Sequence, residues 1–440
     1  MNVEKRPWFS KLLLLVLFLV LILLITRALI GPRRILGLLH KRVPDAPAPT
    51  AVPLPTPSST VTAYSTPSPE TLLSSPTVVP ETAIPTGEAE PTRVIPPAEA
   101  ITLPPGLGIS VFVQGLRDPR MMALSPQGEL YVAERGARRI VRLPDRDGDG
   151  VADGVEVVAE ELDAPSSIAF YADGSLYVGE TTRILRLSAP DERGVFRERE
   201  IIVDGLPSGG HNTRTVLFSP DWATLFVSVG SSCNVCIEQD ERRAAIIRYN
   251  PDGSGEEIYV QGLRNAVGIT FRPGTNELWA TNNGRDWLGD DQPPETVYNM
   301  REGDDAGWPY CHSGRIVDPD YGSPGACDGI LSPVVEMQAH SAPLGLTFYT
   351  GQQLPQEYWG DLFIAFHGSW NRTEPTGYKV VHVPVRDGTP GPVQDFAAGW
   401  LRADGSNWGR PVDVLTASDG SLFISDDSGG FIYRVFYADE

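Results

Sequence analysis

The sequence predicts an all-β protein whose folded part is a six-bladed β-propeller, and three observations predict it. Among 440 residues there are 44 glycines and 40 prolines, a composition that favours turns and short strands over helices. One unit then recurs six times: a turn with Pro, Asp or Gly, then Leu, an aromatic and an apolar residue, and a second short strand. It is seen around Leu130, Leu176, Leu225, Leu278, Leu362 and Leu422. The gaps of 46, 49, 53, 84 and 60 residues begin at the length of a four-stranded blade. A β-sandwich would not repeat so regularly, and a helical solenoid would show a period of 3.6. Six such units close radially and leave few exposed edges.

In chain order, residues 1–43 come first. Leu12 to Ile25 is an unbroken apolar run, and with Arg27 tolerated the stretch reaches Ile30. At about 19 residues and roughly 1.5 Å per residue, a helix over about 12–30 spans a bilayer. A cleaved signal peptide is the rival reading, but the apolar stretch is long for one and no clear small-x-small site follows. A retained single-pass anchor is therefore expected. Basic residues flank both ends, so charge alone does not orient it. Residues 44–105 are rich in Pro, Thr and Ser, with few charges and almost no aromatic residues. Such a segment buries too little apolar surface to order itself and is expected to be a disordered stalk. The propeller is expected over 106–440.

The formal net charge is -20. The first 42 residues hold eight basic residues against the single acid Glu4, so the remainder carries -27. A body this acidic argues against nucleic acid or anionic lipid as its partner and is compatible with cation binding. The four cysteines lie as Cys233 and Cys236 in one loop and Cys311 and Cys327 in another. Local pairing closes two short loops, as in an exported protein, whereas zinc binding lacks the tight spacing of a knuckle in the second pair. The expected location is the cell membrane, with the propeller on the extracytoplasmic side.

The segment from Gly262 to Cys311 is the densest in site chemistry: an Arg-Asn pair after a strand-like run, then an acidic, Gly-broken loop ending in Gly-Trp-Pro. Together with GGHNTRTVLFSPD at Gly209–Asp221, GLRNAVGITFRP at Gly262–Pro273, NNGRDWLGDDQPPE, DDAGWP, LFIAFHGSWNR at Leu362–Arg372 and NWGRPVDVLTASDGSLFISDD, it carries a resemblance. From about Gly108 to Phe436 the chain resembles the soluble glucose dehydrogenase and L-sorbosone dehydrogenase family. These are six-bladed propellers that hold pyrroloquinoline quinone (PQQ) and calcium.

The resemblance implies a sugar oxidoreductase with PQQ and Ca2+ as cofactors, a small sugar as substrate, and a respiratory-chain or soluble carrier as electron acceptor. It places His211 where the family keeps its catalytic base. A neutral imidazole with an ordinary pKa near 6.5 suits the removal of a hydroxyl proton, and His211 lies on a loop and not on an apolar face. Arg264 and Asn265 match the family's cofactor-contacting pair, a permanent charge and planar donor fork beside amide donors. Arg410 matches another arginine near the tricarboxylate. Arg214 and Arg372 are further candidates, for which an inter-blade or surface ion pair is the alternative. The chain departs from glucose-oxidising members at Ser231, where they place a carboxylate, and at Val412, where they carry a second arginine. Their fifth-unit lysine has no secure counterpart. A sorbosone-type or other aldose fits these changes better than glucose.

Two calcium sites are candidates. The loop from Gly284 to Glu295 offers Asp290, Asp291 and Glu295 with the carbonyls of Gly284 and Arg285, and the resemblance adds the carbonyl of Ala306. Separately, Asp145, Asp147, Asp149, the Val151 carbonyl, Asp153 and Glu156 fall at positions 1, 3, 5, 7, 9 and 12 of an EF-hand loop, with Gly150 at position 6. Strands flank this loop, so it would staple a turn; a solvated acidic turn is the alternative. Two other functional classes stay open: a non-catalytic propeller that binds protein or glycan, and a calcium-dependent propeller lactonase or hydrolase.

Overall fold

The computed structural model describes residues 100–438. The expected anchor and most of the expected stalk lie outside the described residues. Among the described residues, six four-stranded antiparallel sheets follow one another along the chain, and helix is limited to single 3-10 turns. Each of the six repeat leucines is the first residue of the second strand of a blade and is almost wholly buried. These second strands are buried along their whole length, because neighbouring sheets cover both of their faces. The blade interfaces are the core: Tyr131 of blade 1 meets Phe170 of blade 2 at 4.9 Å between ring centroids, and Trp279 of blade 4 meets Phe348 of blade 5 at 5.3 Å.

Blade 1 begins at Pro119 and its fourth strand ends at Ala159; blades 2 to 5 start their innermost strands at Ser167, Arg214, Ile269 and Pro343. Blade 6 has three strands from Pro411 to Tyr437, and its outermost strand is the N-terminal Leu107–Gln114. Leu107 pairs with Tyr437 and Gln114 with Phe431, so the two ends of the ring are stitched within one sheet. The chain joins the propeller as early as Ile101, which is buried, and Thr102, which bridges to Ala398.

Turn chemistry repeats along with the strands. In the Asp-Gly-Ser turns, Asp173 accepts from the Ser175 amide at 2.9 Å and Asp419 from the Ser421 amide at 2.9 Å. Arginines of the third strands, Arg186 and Arg434, clamp these aspartates at 2.6 and 2.5 Å. Asx turns of this kind set each second strand in register.

The antiparallel order divides the loops between two rims. Connections into each innermost strand, and those from second to third strands, share one rim. Innermost-to-second and third-to-fourth connections share the other. By this count His211, Arg264, Asn265 and Arg410, and the loops around Ser231, Asp286, His367 and Asp427, all belong to the first rim. The acidic loop 145–156 belongs to the second. Between the rims, all six innermost strands line a channel of about 260 Å³. Towards the first rim, Met121, Val267, Leu344 and Val412 form an apolar cluster. Residues 301–334 are an insertion in blade 4, and it climbs beside the exit of blade 3, where Gln261 bridges to Asp305 in parallel.

Candidate active site

The His211 loop is held from below by two buried arginines. The Arg214 guanidinium donates to the carbonyls of His211 at 3.2 Å and Thr213 at 2.6 Å, and also to that of Pro207. Arg243 donates to Gly209 at 2.8 Å and to Gly230 at 3.3 Å, and also to Ser208. Among the described residues neither arginine has a carboxylate partner within salt-bridge distance. Arg214 thus shapes the His211 loop through backbone carbonyls, and burial pushes its pKa down to about 10.

His211 Nδ1 lies 3.0 Å from Ser231 Oγ and 3.2 Å from the Ser231 carbonyl. The Ser231 hydroxyl gives its own proton to the Cys233 carbonyl at 2.7 Å. Both oxygens facing Nδ1 are therefore acceptors, which assigns the proton to Nδ1 and the lone pair to Nε2. Burial first, then the charge of Arg264, push the pKa of His211 down to about 4. The imidazole is neutral at ordinary pH with Nε2 as its basic atom. Gly230 permits this arrangement: a Cβ there would lie 2.6 Å from both His211 Cβ and Asn265 Oδ1.

Arg264 is buried and nearly saturated. Its Nε donates to the Asn234 carbonyl at 3.0 Å, and Nη2 reaches Asn234 Oδ1 at 3.0 Å and Asp286 Oδ2 at 2.8 Å. Nη1 has one long contact, 3.4 Å to the Asn283 carbonyl. Asn234 lies between Cys233 and Cys236, which are disulfide-bonded, as are Cys311 and Cys327. It also receives the Asp286 amide at 2.7 Å, while the Trp308 indole of the insertion donates to its carbonyl at 3.3 Å. The small disulfide loop is thus a hub joining Arg264, the 283–294 loop and the insertion. Asn265 donates its backbone amide to Asn282 Oδ1 at 3.1 Å.

On the opposite side of the rim, Arg410 donates only to backbone carbonyls, His367 at 3.0 Å and Gly368 at 2.9 Å, and lies over the Tyr378 ring at 5.5 Å. Beside it, Asp427 binds Arg120 at 2.5 Å and His367 Nε2 at 2.9 Å. Asp427 is held below the usual carboxylate range against the effect of its own burial, with His367 and the two arginines as the cause. Val412 is fully buried in the apolar floor.

Other candidates are placed differently. Arg372 donates to the Asp290 carbonyl and pairs with Asp291 at 3.1 Å, and Asp290 also accepts from the Thr373 amide at 3.1 Å. These three form a clasp between the second-to-third-strand loops of blades 4 and 5, so Asp290 and Asp291 do not gather with Glu295. Arg285 turns to Asp318 at 2.5 Å and Asp320 at 3.1 Å. Glu295 is buried, accepts from the amides of Gly284 at 2.7 Å and Ala342 at 3.3 Å, and is pushed up to about 7 by burial. Gly284, Thr296 and Ala306 line a void of about 10 Å³, and Thr296 Oγ1 there is buried without a partner. That is room for about one water-sized sphere.

On the other rim, carboxylate oxygens of Asp145, Asp147 and Asp149 lie within 4.8 Å of one another. Asp145 accepts from the amides of Gly148 and Gly150, and Asp149 from that of Val151. The rest of the twelve-residue pattern is engaged elsewhere. Glu156 binds Arg142 at 2.5 Å and Arg146 at 2.6 Å, and Asp153 accepts from the Arg146 amide at 2.8 Å. Arg142 is the cross-strand neighbour of Glu156, so the sheet itself delivers the competing cation.

Sequence reading did not single out Asn234, Asp286, His340, His367, Asp427 or Arg120. His340 donates from Nε2 to the Gly289 carbonyl at 2.8 Å, with Nδ1 4.0 Å from Asp286. Asp286, His367 and Asp427 lie inside the motifs that carry the resemblance, Asn234 and His340 lie in loops outside them, and Arg120 lies at the start of the innermost strand of blade 1.

The propeller is similar in fold to solved structures of sugar dehydrogenases. A pyrroloquinoline quinone-dependent pyranose dehydrogenase from Coprinopsis cinerea is 26% identical over 399 residues, covering 75% of this chain and 54% of that protein. This chain therefore spans about half the length of that relative. The holo form of its PQQ domain superposes with a TM-score of 0.68 at 23% identity, covering 76% of this chain and 97% of that one. The calcium structure of a Trichoderma reesei family AA12 enzyme gives 0.67 at 22%, with 77% and 97% covered. The chain belongs to the family described as Domain of unknown function (DUF7133), whose model matches residues 97–432. An uncharacterized protein of Borreliella burgdorferi is 31% identical over 360 residues, covering 77% of this chain and 93% of that protein.

Proposed function

We propose that this protein is a quinoprotein oxidoreductase that oxidises an aldose or pyranose, with PQQ held on the rim that carries His211, Arg264 and Arg410. The observation that carries this reading is the tautomer of His211. Its Nδ1 proton is committed to Ser231, and burial keeps Nε2 unprotonated. When bound, PQQ supplies a two-electron acceptor for the hydride that leaves the sugar carbon. His211 Nε2 takes the proton of the adjacent hydroxyl. Ser231 holds the ring without adding the charge a carboxylate would, so the imidazole is a weaker base than in an Asp-His pair.

The residues present fit a tricarboxylate. Arg410 is bonded only to neutral carbonyls, so its charge is available to a bound carboxylate. Among the described residues, Ser341 Oγ and Arg120 Nε on this rim are buried without partners, a state that a bound polar ligand would relieve. Met121, Val267, Leu344 and Val412 supply an apolar floor for a flat ring system. For calcium the fit is narrower. The void beside Gly284, Thr296 and Ala306 is the place where oxygen donors could converge, with Glu295 near Gly284. Asp145, Asp147 and Asp149 form the second candidate, with three of the expected carboxylates.

The disulfides suit an oxidising compartment, and this supports a propeller held outside the cytoplasm by the N-terminal apolar segment. Electrons would then pass to a respiratory-chain or soluble carrier. The test is steady-state dye reduction by the full-length protein with PQQ and Ca2+ over a panel of aldoses. Saturable, PQQ-dependent reduction with at least one sugar supports the reading. Its absence across the panel, with the propeller folded, overturns it in favour of a binding module.

A further inference from the structure

We infer that Trp287 and Trp370 form a second sugar-ring subsite, so that this propeller binds the end of an oligosaccharide more tightly than a free monosaccharide. The inference deepens the sugar-oxidising reading and rests on it for the reacting ring alone. These are the two most exposed large apolar side chains among the described residues, at 69% and 67%. They touch each other edge to face, with ring centroids 6.0 Å apart and planes at 81°.

Three features show that the pair is held in place. The Trp287 backbone has φ +68°, a left-handed conformation that a bulky side chain rarely adopts. The backbone is thus strained in a way that displays an indole to water. The loops that carry the two rings are clasped together by Arg372, Thr373, Asp290 and Asp291, as described above. Each ring is also one residue from an anchor on one side of the active-site rim. Asp286, before Trp287, pairs with Arg264. Ser369, before Trp370, accepts from the Tyr378 hydroxyl at 2.5 Å, and Arg410 lies over the Tyr378 ring.

The chemistry of the patch selects its occupant. Two indole faces at the rim offer contact area to the apolar C–H face of a pyranose, at low entropic cost because each side chain has only two rotatable bonds. Next to Trp370, the Asn371 amide has its donor and its acceptor buried without partners. One group of each kind is what a sugar hydroxyl pairs with. Asp286, Asp290, Asp291 and Glu374 each lie within four residues of one of the two tryptophans along the chain, which disfavours an anionic lipid surface. Two rings fall well short of the roughly 800 Å² per partner of a stable protein interface.

The experiment is calorimetric titration of the full-length protein without PQQ, using glucose and its β-1,4, β-1,3 and α-1,4 tetramers. The expected result is that at least one tetramer binds ten-fold or more tighter than glucose. That preference should collapse in Trp287→Ala and in Trp370→Ala and be largely kept in Trp370→Tyr, which retains an aromatic face. If no tetramer outbinds glucose, or if the preference survives both alanine substitutions, the subsite is refuted. Binding is read without the quinone, so the two readings separate. A chain-length preference without dye reduction overturns the oxidoreductase and keeps the subsite, and PQQ-dependent turnover without a preference does the reverse.

Discussion

Substituting Gly230 by alanine tests the construction of the active site through one methyl group. The new Cβ would sit 2.6 Å from His211 Cβ and 2.6 Å from Asn265 Oδ1. Carbon needs about 3.4 Å or more from either atom, so the two side chains must separate from the methyl by roughly 0.8 Å each. A displacement near 1 Å in a reacting constellation costs on the order of 10²-fold in rate, whereas overpacking a single methyl costs about 1–3 kcal/mol of stability. Gly230 does not have a positive φ, so alanine adds no backbone strain. The expected outcome is a fall of about 10²-fold in kcat/KM for the preferred sugar, with the protein still folded by circular dichroism. PQQ affinity should change less than kcat. Turnover at the wild-type level in a folded Gly230→Ala protein would refute the placement of His211 and Asn265 as a working pair.

Further outcomes follow from the same geometry. His211→Gln should abolish turnover while leaving PQQ binding within a few fold, read by absorbance titration. In the wild type the acid limb of kcat/KM should fall near pH 4 and not near 6.5, because burial and Arg264 depress the His211 pKa to about 4 and only the neutral ring is a base. Asn234→Ala removes Oδ1, which accepts from Arg264 Nη2 and from the Asp286 amide, and keeps the backbone carbonyl that accepts from Arg264 Nε; a 10-fold or greater loss of kcat/KM is expected in steady-state assays. Asp413 is buried on the innermost strand of blade 6 and accepts from the Met122 amide at 2.8 Å; burial pushes its pKa up to about 7. A raised acid pKa means that the folded state binds the extra proton between about pH 4 and 7, so this group's contribution is lost as pH rises through that window. The Tm difference between Asp413→Asn and wild type should therefore grow in favour of the variant from pH 5 to pH 9. Breaking Cys311–Cys327, which closes a 16-residue separation, should cost about 3 kcal/mol, read by denaturant unfolding of the double serine variant.

Much of the ring was legible because the turn residues and the following leucine are local signals. The closing strand Leu107–Gln114 was not, because its partners are more than 300 residues away and nothing in its own pattern names them. At the site, His211, Arg264 and Arg410 stood out because each sits in a motif that carries the family resemblance. Asn234 did not, since its role comes from a disulfide loop folding over Arg264, a contact set by packing and not by spacing. The EF-hand-like spacing showed where three aspartates would gather. It could not show that Glu156 lies on a strand opposite Arg142. In the same way, Asp290 and Asp291 read as metal ligands in sequence, but the neighbouring blade presents Arg372 to them.

The most direct measurement is an absorbance titration of the calcium-loaded, full-length protein with PQQ, run beside Arg264→Ala and Arg410→Ala. One saturable site per chain, weakened at least ten-fold in each variant, is the predicted result. No saturable binding by a folded wild-type protein, or binding indifferent to both arginines, would contradict a quinone held on this rim.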